Sequence, residues 1–153
     1  DPPANLGVGR YWLFIRGDWA KALPHLAKSA DPAWKEPATL DLAGPKTPAE
    51  QVAVGDAWAA LAPRKGGYAK PRLLERAKTW YARALAAAPE AEKPAIQAKL
   101  AAVEAQLKAL AAAQAAEAGT ASAAKSSAAD DDKADAEKTD GDKPNDAEPA
   151  FPQ

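Results

Sequence analysis

One apolar signature, built around a glycine and a tryptophan, is written twice in this chain. Leu6-Gly7-Val8-Gly9-Arg10-Tyr11-Trp12 returns as Val52-Ala53-Val54-Gly55-Asp56-Ala57-Trp58. Each copy is followed by a second Ala/Leu-rich stretch, one ending near Pro32 and the other at Pro89. Units of this length do not bury an apolar face alone, so the repetition implies stacked helical hairpins. Such stacks present extended surfaces to partners, which points to interaction rather than to a reaction chamber.

The large side chains say where a core is possible. Tyr11, Trp12, Phe14, Trp19, Trp34, Trp58, Tyr68, Trp80 and Tyr81 all precede position 82, and only Phe151 lies beyond them. A core therefore belongs to the first ~90 residues. From Gly119 onward the chain carries nine acids against four lysines, which leaves the remainder mildly basic within a net charge of −1. That remainder shows no Lys/Arg cluster interleaved with aromatics, so nucleic acid is not an expected partner. The chain has no cysteine, which leaves the compartment open. No apolar run reaches the ~18 residues of a membrane span, and no signal peptide is recognisable. The first residue is Asp rather than Met, from which a fragment of a longer protein is expected.

Local signals divide the body into helices. Asp1-Pro2-Pro3 reads as a helix start. From Ala4 to Ile15 apolar residues surround the whole helix, so it is either sandwiched or lacks a neighbour. Gly17-Asp18 breaks that helix and caps the next, expected over Trp19–Ala30 with Pro24 inside it. Ala33–Leu42 is interrupted by Pro37 and predicts one or two turns at most. Thr47-Pro48-Ala49-Glu50 predicts a capping box at the start of a helix that stops at Pro63. After a basic loop around Gly66-Gly67, a long helix is predicted from Pro71 to Ala88. A further helix over Ala91–Ala116 carries Ile96, Leu100, Val103, Leu107 and Leu110 as a narrow seam. The seam covers about two heptads, which favours a helix laid across the last hairpin over a dimer. Beyond about Glu117 periodicity ends, and a disordered acidic tail is predicted over 117–153.

These residues carry a family resemblance. Ala77-x-x-x-Tyr81-x-x-Ala84-Leu85-x-x-x-Pro89 resembles the second helix of a tetratricopeptide repeat, and Gly17-Asp18-Trp19-x-x-Ala22-Leu23-x-x-Leu26 resembles that family's turn and second-helix start. The interval from Asp1-Pro2 to Asp31-Pro32 is close to the family's ~34-residue period. Asp1 to Leu107 is also similar to a Trp-rich module of large planctomycete multidomain proteins, on Asn5-Leu6-x-x-Gly9-Arg10-Tyr11, Gly17-Asp18-Trp19-x-x-x-Leu23-Pro24 and Val54-Gly55-Asp56-Ala57-Trp58. The long loop Pro63–Lys70 and the irregular segment Ala33–Lys46 depart from a regular array. The resemblance implies no defined activity. It implies a groove lined by first helices, which here means Arg10, Leu13 and Phe14 with Asp56, Ala59 and Ala60. The competing expectation is that these positions pack against neighbouring helices.

Catalytic constellations are hard to assemble from this composition. His25 is the one histidine, and with no cysteine the Cys/His set of a structural zinc site cannot be assembled. Ser29 lies one turn from His25, but no strained turn presents it as a nucleophile. Ala43-Gly44-Pro45-Lys46-Thr47 faintly resembles a phosphate loop, yet Pro45 removes an amide donor and the first glycine is missing. Asp130-Asp131-Asp132 lacks the alternation of a calcium loop. Helical spacing makes the five tryptophans core residues rather than stacking platforms.

The expectation is an all-α protein of four to five helices in TPR-like hairpins: 1–89 the hairpins, 90–116 a covering helix, 117–153 the tail. Expected further are a non-catalytic scaffold or interaction role within a larger bacterial protein, a protein or peptide partner, a monomer, and no metal or cofactor. A structural spacer and, below it, a substrate-holding part of an enzyme are the alternatives.

Overall fold

The computed structural model describes the backbone of residues 1–131 and the side chains of residues 1–122. Among the described residues the fold is all-helical: α1 Pro2–Phe14, α2 Trp19–Ala27, α3 Pro32–Leu42, α4 Pro48–Leu61, α5 Ala69–Ala87 and α6 Lys93–Asp131. A single 3-10 turn, Ala62–Arg64, follows α4. That is one helix more than the four to five expected.

Sequence signals set most boundaries. Asp18 caps α2 by accepting from the Lys21 amide at 3.0 Å, and Gly17 turns the chain at φ +66°. At α4 the capping box forms as predicted. The Thr47 hydroxyl accepts from the Glu50 amide at 3.3 Å, and the Glu50 carboxylate accepts from the Thr47 amide at 3.1 Å.

Two boundaries differ from expectation. α3 is a regular helix of eleven residues rather than one or two turns. Asp31 caps it, accepting from the Ala33 amide at 2.9 Å, and Pro37 is accommodated inside it. Pro37 is buried along with Trp34, Ala38 and Asp41, so packing outweighs the lost backbone bond. α6 continues to Asp131 rather than ending near Ala116. Its later part is rich in alanine, whose helix propensity needs no burial. The helix thus occupies 117–131 of the tail expected to be disordered; 132–153 lies outside the described residues.

Residues 1–113 form one compact unit, and the described residues from Gln114 onward belong to a second. In the first, consecutive helices pack in order from α1 to α5. α6 joins through buried Ile96 and Val103. Lys99 reaches Asp56 of α4 at 2.7 Å and Glu104 reaches Lys78 of α5 at 2.9 Å. Leu100, Leu107 and Leu110 also pack on the core, so the seam is used within the chain. In the second unit the Thr120 hydroxyl bonds back to the Ala116 carbonyl at 3.1 Å.

The duplicated signature marks a structural repeat. Gly9 of α1 faces Leu26 of α2, and a Cβ built there would lie 2.7 Å from the Leu26 side chain. Gly55 of α4 faces Tyr81 of α5, and a Cβ there would lie 2.5 Å from the ring. Leu26 follows buried Ala22 by one turn, as Tyr81 follows buried Ala77. The two hairpins therefore close on equivalent positions. α3 then lies on the first hairpin, where Phe14 meets Trp34 edge-on at 6.0 Å between ring centroids. α6 lies on the second through Ile96 and Val103. The segment expected to be irregular is thus a regular helix between the two hairpins.

Gly7, in the same signature, faces open space. Gly7→Ala is expected to raise unfolding free energy by about 1 kcal/mol, because alanine favours the helix and meets nothing. Gly55→Ala is expected to lower it by about 1–3 kcal/mol, because a rigid ring must move. Urea unfolding of the two variants measures both, and the opposite signs are the test.

Candidate functional site

The charged and aromatic residues of the body converge on Asp41. It sits in the last turn of α3, and its side chain is only 2% exposed. Its Oδ2 accepts from Trp58 Nε1 of α4 at 2.9 Å, from Trp80 Nε1 of α5 at 2.9 Å and from Arg76 Nε at 2.8 Å. Its Oδ1 accepts from Arg76 Nη2 at 2.5 Å. The Arg76 guanidinium lies 5.0 Å from the Trp19 ring centroid and 5.5 Å from that of Trp80. Trp19 of α2 in turn meets Trp58 edge-on at 5.2 Å. Arginine suits this place because it donates a fixed fork and stacks on aromatic faces.

This arrangement binds four helices and leaves little for chemistry. Four donors already occupy the carboxylate, and the guanidinium is committed to it. A general acid or base needs a free lone pair or proton within reach of a substrate. Asp41 has neither, and its role is to hold the core.

A second polar cluster ties α4, α5 and α6. Asp56 Oδ1 accepts from the Tyr81 hydroxyl at 2.7 Å and from Lys99 Nζ at 2.7 Å. Burial, then the hydrogen bond to Asp56 and its charge, push the Tyr81 phenol well above its ordinary value.

Residues expected to line a groove do not share a face. Leu13 is fully buried and belongs to the core; it cannot contact a partner. Arg10 lies over the Phe14 ring at 6.0 Å, and Phe14 packs on Trp34. Asp56 is engaged with Tyr81 and Lys99, Ala59 packs on the core, and Ala60 is exposed. Leu13 and Phe14 serve the core, Arg10 is exposed over Phe14, and Asp56 serves the α6 side. Sequence periodicity located the helices but not their neighbours, and the neighbours decide which face stays open.

The remaining motifs resolve individually. His25 Nδ1 lies 3.0 Å from Asn5 Oδ1, which links α2 to α1. The Ser29 hydroxyl donates to the Asp31 carbonyl at 3.2 Å instead of to His25. A cleft of about 530 Å³ opens between the end of α3 and α4, lined by Leu40, Lys46, Thr47, Glu50, Ala53 and Val54. It contains the loop that resembles a phosphate binder. Both Lys46 and Thr47 amides there donate to Glu50, at 3.0 and 3.1 Å. A carboxylate of the chain thus fills the place an anion would take. Those amide bonds hold the Glu50 carboxyl below its ordinary range. Among the described residues no three His, Cys, Asp or Glu side chains gather to hold a metal ion. The Asp130–Asp132 run lies outside the described side chains. No described helix is long and apolar enough to cross a membrane.

What stays open is apolar. On α1, Val8, Tyr11 and Ile15 follow one another along one face and are all exposed, Ile15 to 70%. Beside them Trp12 is half-buried, with Lys21 Nζ 4.4 Å from its ring centroid. Of the two expectations for α1, a sandwiched helix or one lacking a neighbour, this exposed face fits the second.

Comparison of the chain with family models, with characterised proteins and with solved structures finds no match.

Two outcomes test these clusters. Asp41→Ala is expected to lower unfolding free energy by about 3–5 kcal/mol, because it leaves a buried guanidinium unpaired. The Asp41→Ala/Arg76→Ala double variant should lose clearly less than the sum of the singles in urea unfolding. For Tyr81, the folded phenol keeps its proton at a pH where the unfolded chain, near pKa 10, releases it. The contribution is therefore complete below about pH 10 and is lost as pH rises above it. Tyr81→Phe should flatten this alkaline loss relative to the parent chain, read from stability measured between pH 8 and 11.

Proposed function

We propose that this chain is a non-catalytic protein–protein interaction module, with the uncovered face of α1 as its contact surface. The exposed run Val8, Tyr11 and Ile15 carries this reading. Contiguous large apolar side chains left in water have a hydration cost that a partner removes. The polar residues best placed for chemistry serve the fold: Asp41 holds the tryptophans, Asp56 holds α6, and Glu50 closes the loop before α4. The resemblance of Ala77–Pro89 to a tetratricopeptide second helix supports the same class of role. The similarity of Asp1–Leu107 to a Trp-rich module of planctomycete multidomain proteins supports, as part of the proposal, a place within a larger bacterial protein. Relative to the residues the resemblance singles out, the surface moves around α1, from Arg10, Leu13 and Phe14 to Val8, Tyr11 and Ile15.

Tyr11→Asp tests the reading. It adds a charge to the exposed face without touching the core, so circular dichroism and melting temperature should hardly change. A partner captured by the parent chain and then purified should bind with Kd below ~10 μM, and Tyr11→Asp should weaken it at least tenfold. Equal binding by the two chains would remove α1 as the surface. A chain that captures no direct binder would favour a spacer between flanking domains.

A further inference from the structure

The two hairpins are built alike but covered differently, and the difference identifies what α1 lacks. The Gly9–Leu26 and Gly55–Tyr81 contacts fix the equivalence of the hairpins. Val8, Trp12 and Ile15 of α1 then correspond to Val54, Trp58 and Leu61 of α4, and Lys21 of α2 corresponds to Arg76 of α5. Val54 and Leu61 are 1% and 3% exposed, whereas Val8 and Ile15 are 40% and 70% exposed. Trp58 is fully buried, whereas Trp12 is only half-buried. The opposite faces reverse the order: Leu23 of α2 is buried where its counterpart Lys78 is exposed. The first hairpin is therefore bare on the α1 side, where it has no helix over it. What covers the second hairpin is known: α3, ending in Asp41.

The polar groups repeat as well. On the second hairpin Trp58 Nε1 and the Arg76 guanidinium converge on Asp41. On the first, Trp12 and Lys21 are already brought together, 4.4 Å from ammonium nitrogen to ring centroid. Among the described residues no acceptor meets Trp12 Nε1. Lys21 is paired only with Asp18 of its own helix turn, at 3.5 Å and largely in solvent, a weak bond. A donor pair and an apolar strip stand where the second hairpin holds a carboxylate and a helix.

We propose that the α1–α2 face formed by Val8, Trp12, Ile15 and Lys21 docks a helix of a partner protein that carries a carboxylate placed as Asp41 is placed on α3. The carboxylate accepts from Trp12 Nε1 and pairs with Lys21, and apolar residues of the partner helix cover Val8 and Ile15. This rests on the interaction reading and names the partner's chemistry. A second copy of this chain is a poor source, because its own Asp41 is already saturated by four donors.

The probe is a synthetic peptide with the sequence of residues 31–44, stapled through positions 35 and 39. Both positions are exposed on α3, and the staple offsets the poor helicity of a short free peptide. Binding to the full chain is followed by the indole N–H resonances, with Trp12 assigned by Trp12→Phe. The expected result is saturable binding below ~200 μM that shifts the Trp12 signal. It should weaken at least tenfold with Asp41→Asn in the peptide and comparably with Lys21→Met in the chain. Lys21→Met alters an exposed residue, so the fold should persist, as circular dichroism checks. No binding at 1 mM peptide overturns the proposal, as does binding that ignores the carboxylate or leaves Trp12 unmoved. Self-association of the chain at 100 μM that Ile15→Asp abolishes would make a second copy the occupant and also overturn it. If the peptide fails while a captured partner still depends on Tyr11, the interaction reading stands and only the carboxylate helix falls.

Discussion

The body of this protein depends on one carboxylate withdrawn from water. Removing Asp41 from solvent is costly on its own, and the cost is met only by complete satisfaction of its oxygens. Two indole N–H groups and a forked guanidinium supply that. The donors come from α4 and α5, the acceptor from α3, and Trp19 of α2 stacks on the guanidinium. Neither α4 nor α5 can shift against α3 without breaking a bond to a buried carboxylate. Apolar packing alone would tolerate several registers; a saturated polar centre selects one.

The same centre explains why the helices outside the two hairpins matter. A helical hairpin has two broad faces, and a single hairpin leaves both wet. α3 solves this for the inner faces of both hairpins together, with Trp34 turned to Phe14 and Asp41 to Trp58. α6 does so for the outer face of the second hairpin through Ile96 and Val103. The face of α1 is left over, and the proposed role of the module follows from that asymmetry.

Much of the fold was legible in the chain because it rests on local chemistry. The capping box at Thr47 and Glu50, the cap at Asp18, and the paired helices marked by the duplicated signature all follow from residue type and spacing. α3 was misjudged because Pro37 speaks locally against a helix while Trp34, Ala38 and Asp41 speak for it only through distant partners. The same holds for the binding face: Leu13 and Ile15 look alike in sequence, yet tertiary packing buries one and leaves the other at the surface. The end of α6 was missed for the opposite reason. Alanine needs no partner to be helical, and a search for buried residues overlooks it.

A further consequence lies in how the hairpins share α3. Arrays of repeats usually melt from their ends, one unit at a time, because each touches only its neighbours. Here one side chain is fastened to both halves of the second hairpin while its helix is wedged against the first. Fraying from either side must reach the same locked point before it can proceed. The helices of the body would therefore yield to pulling together rather than paying out one by one.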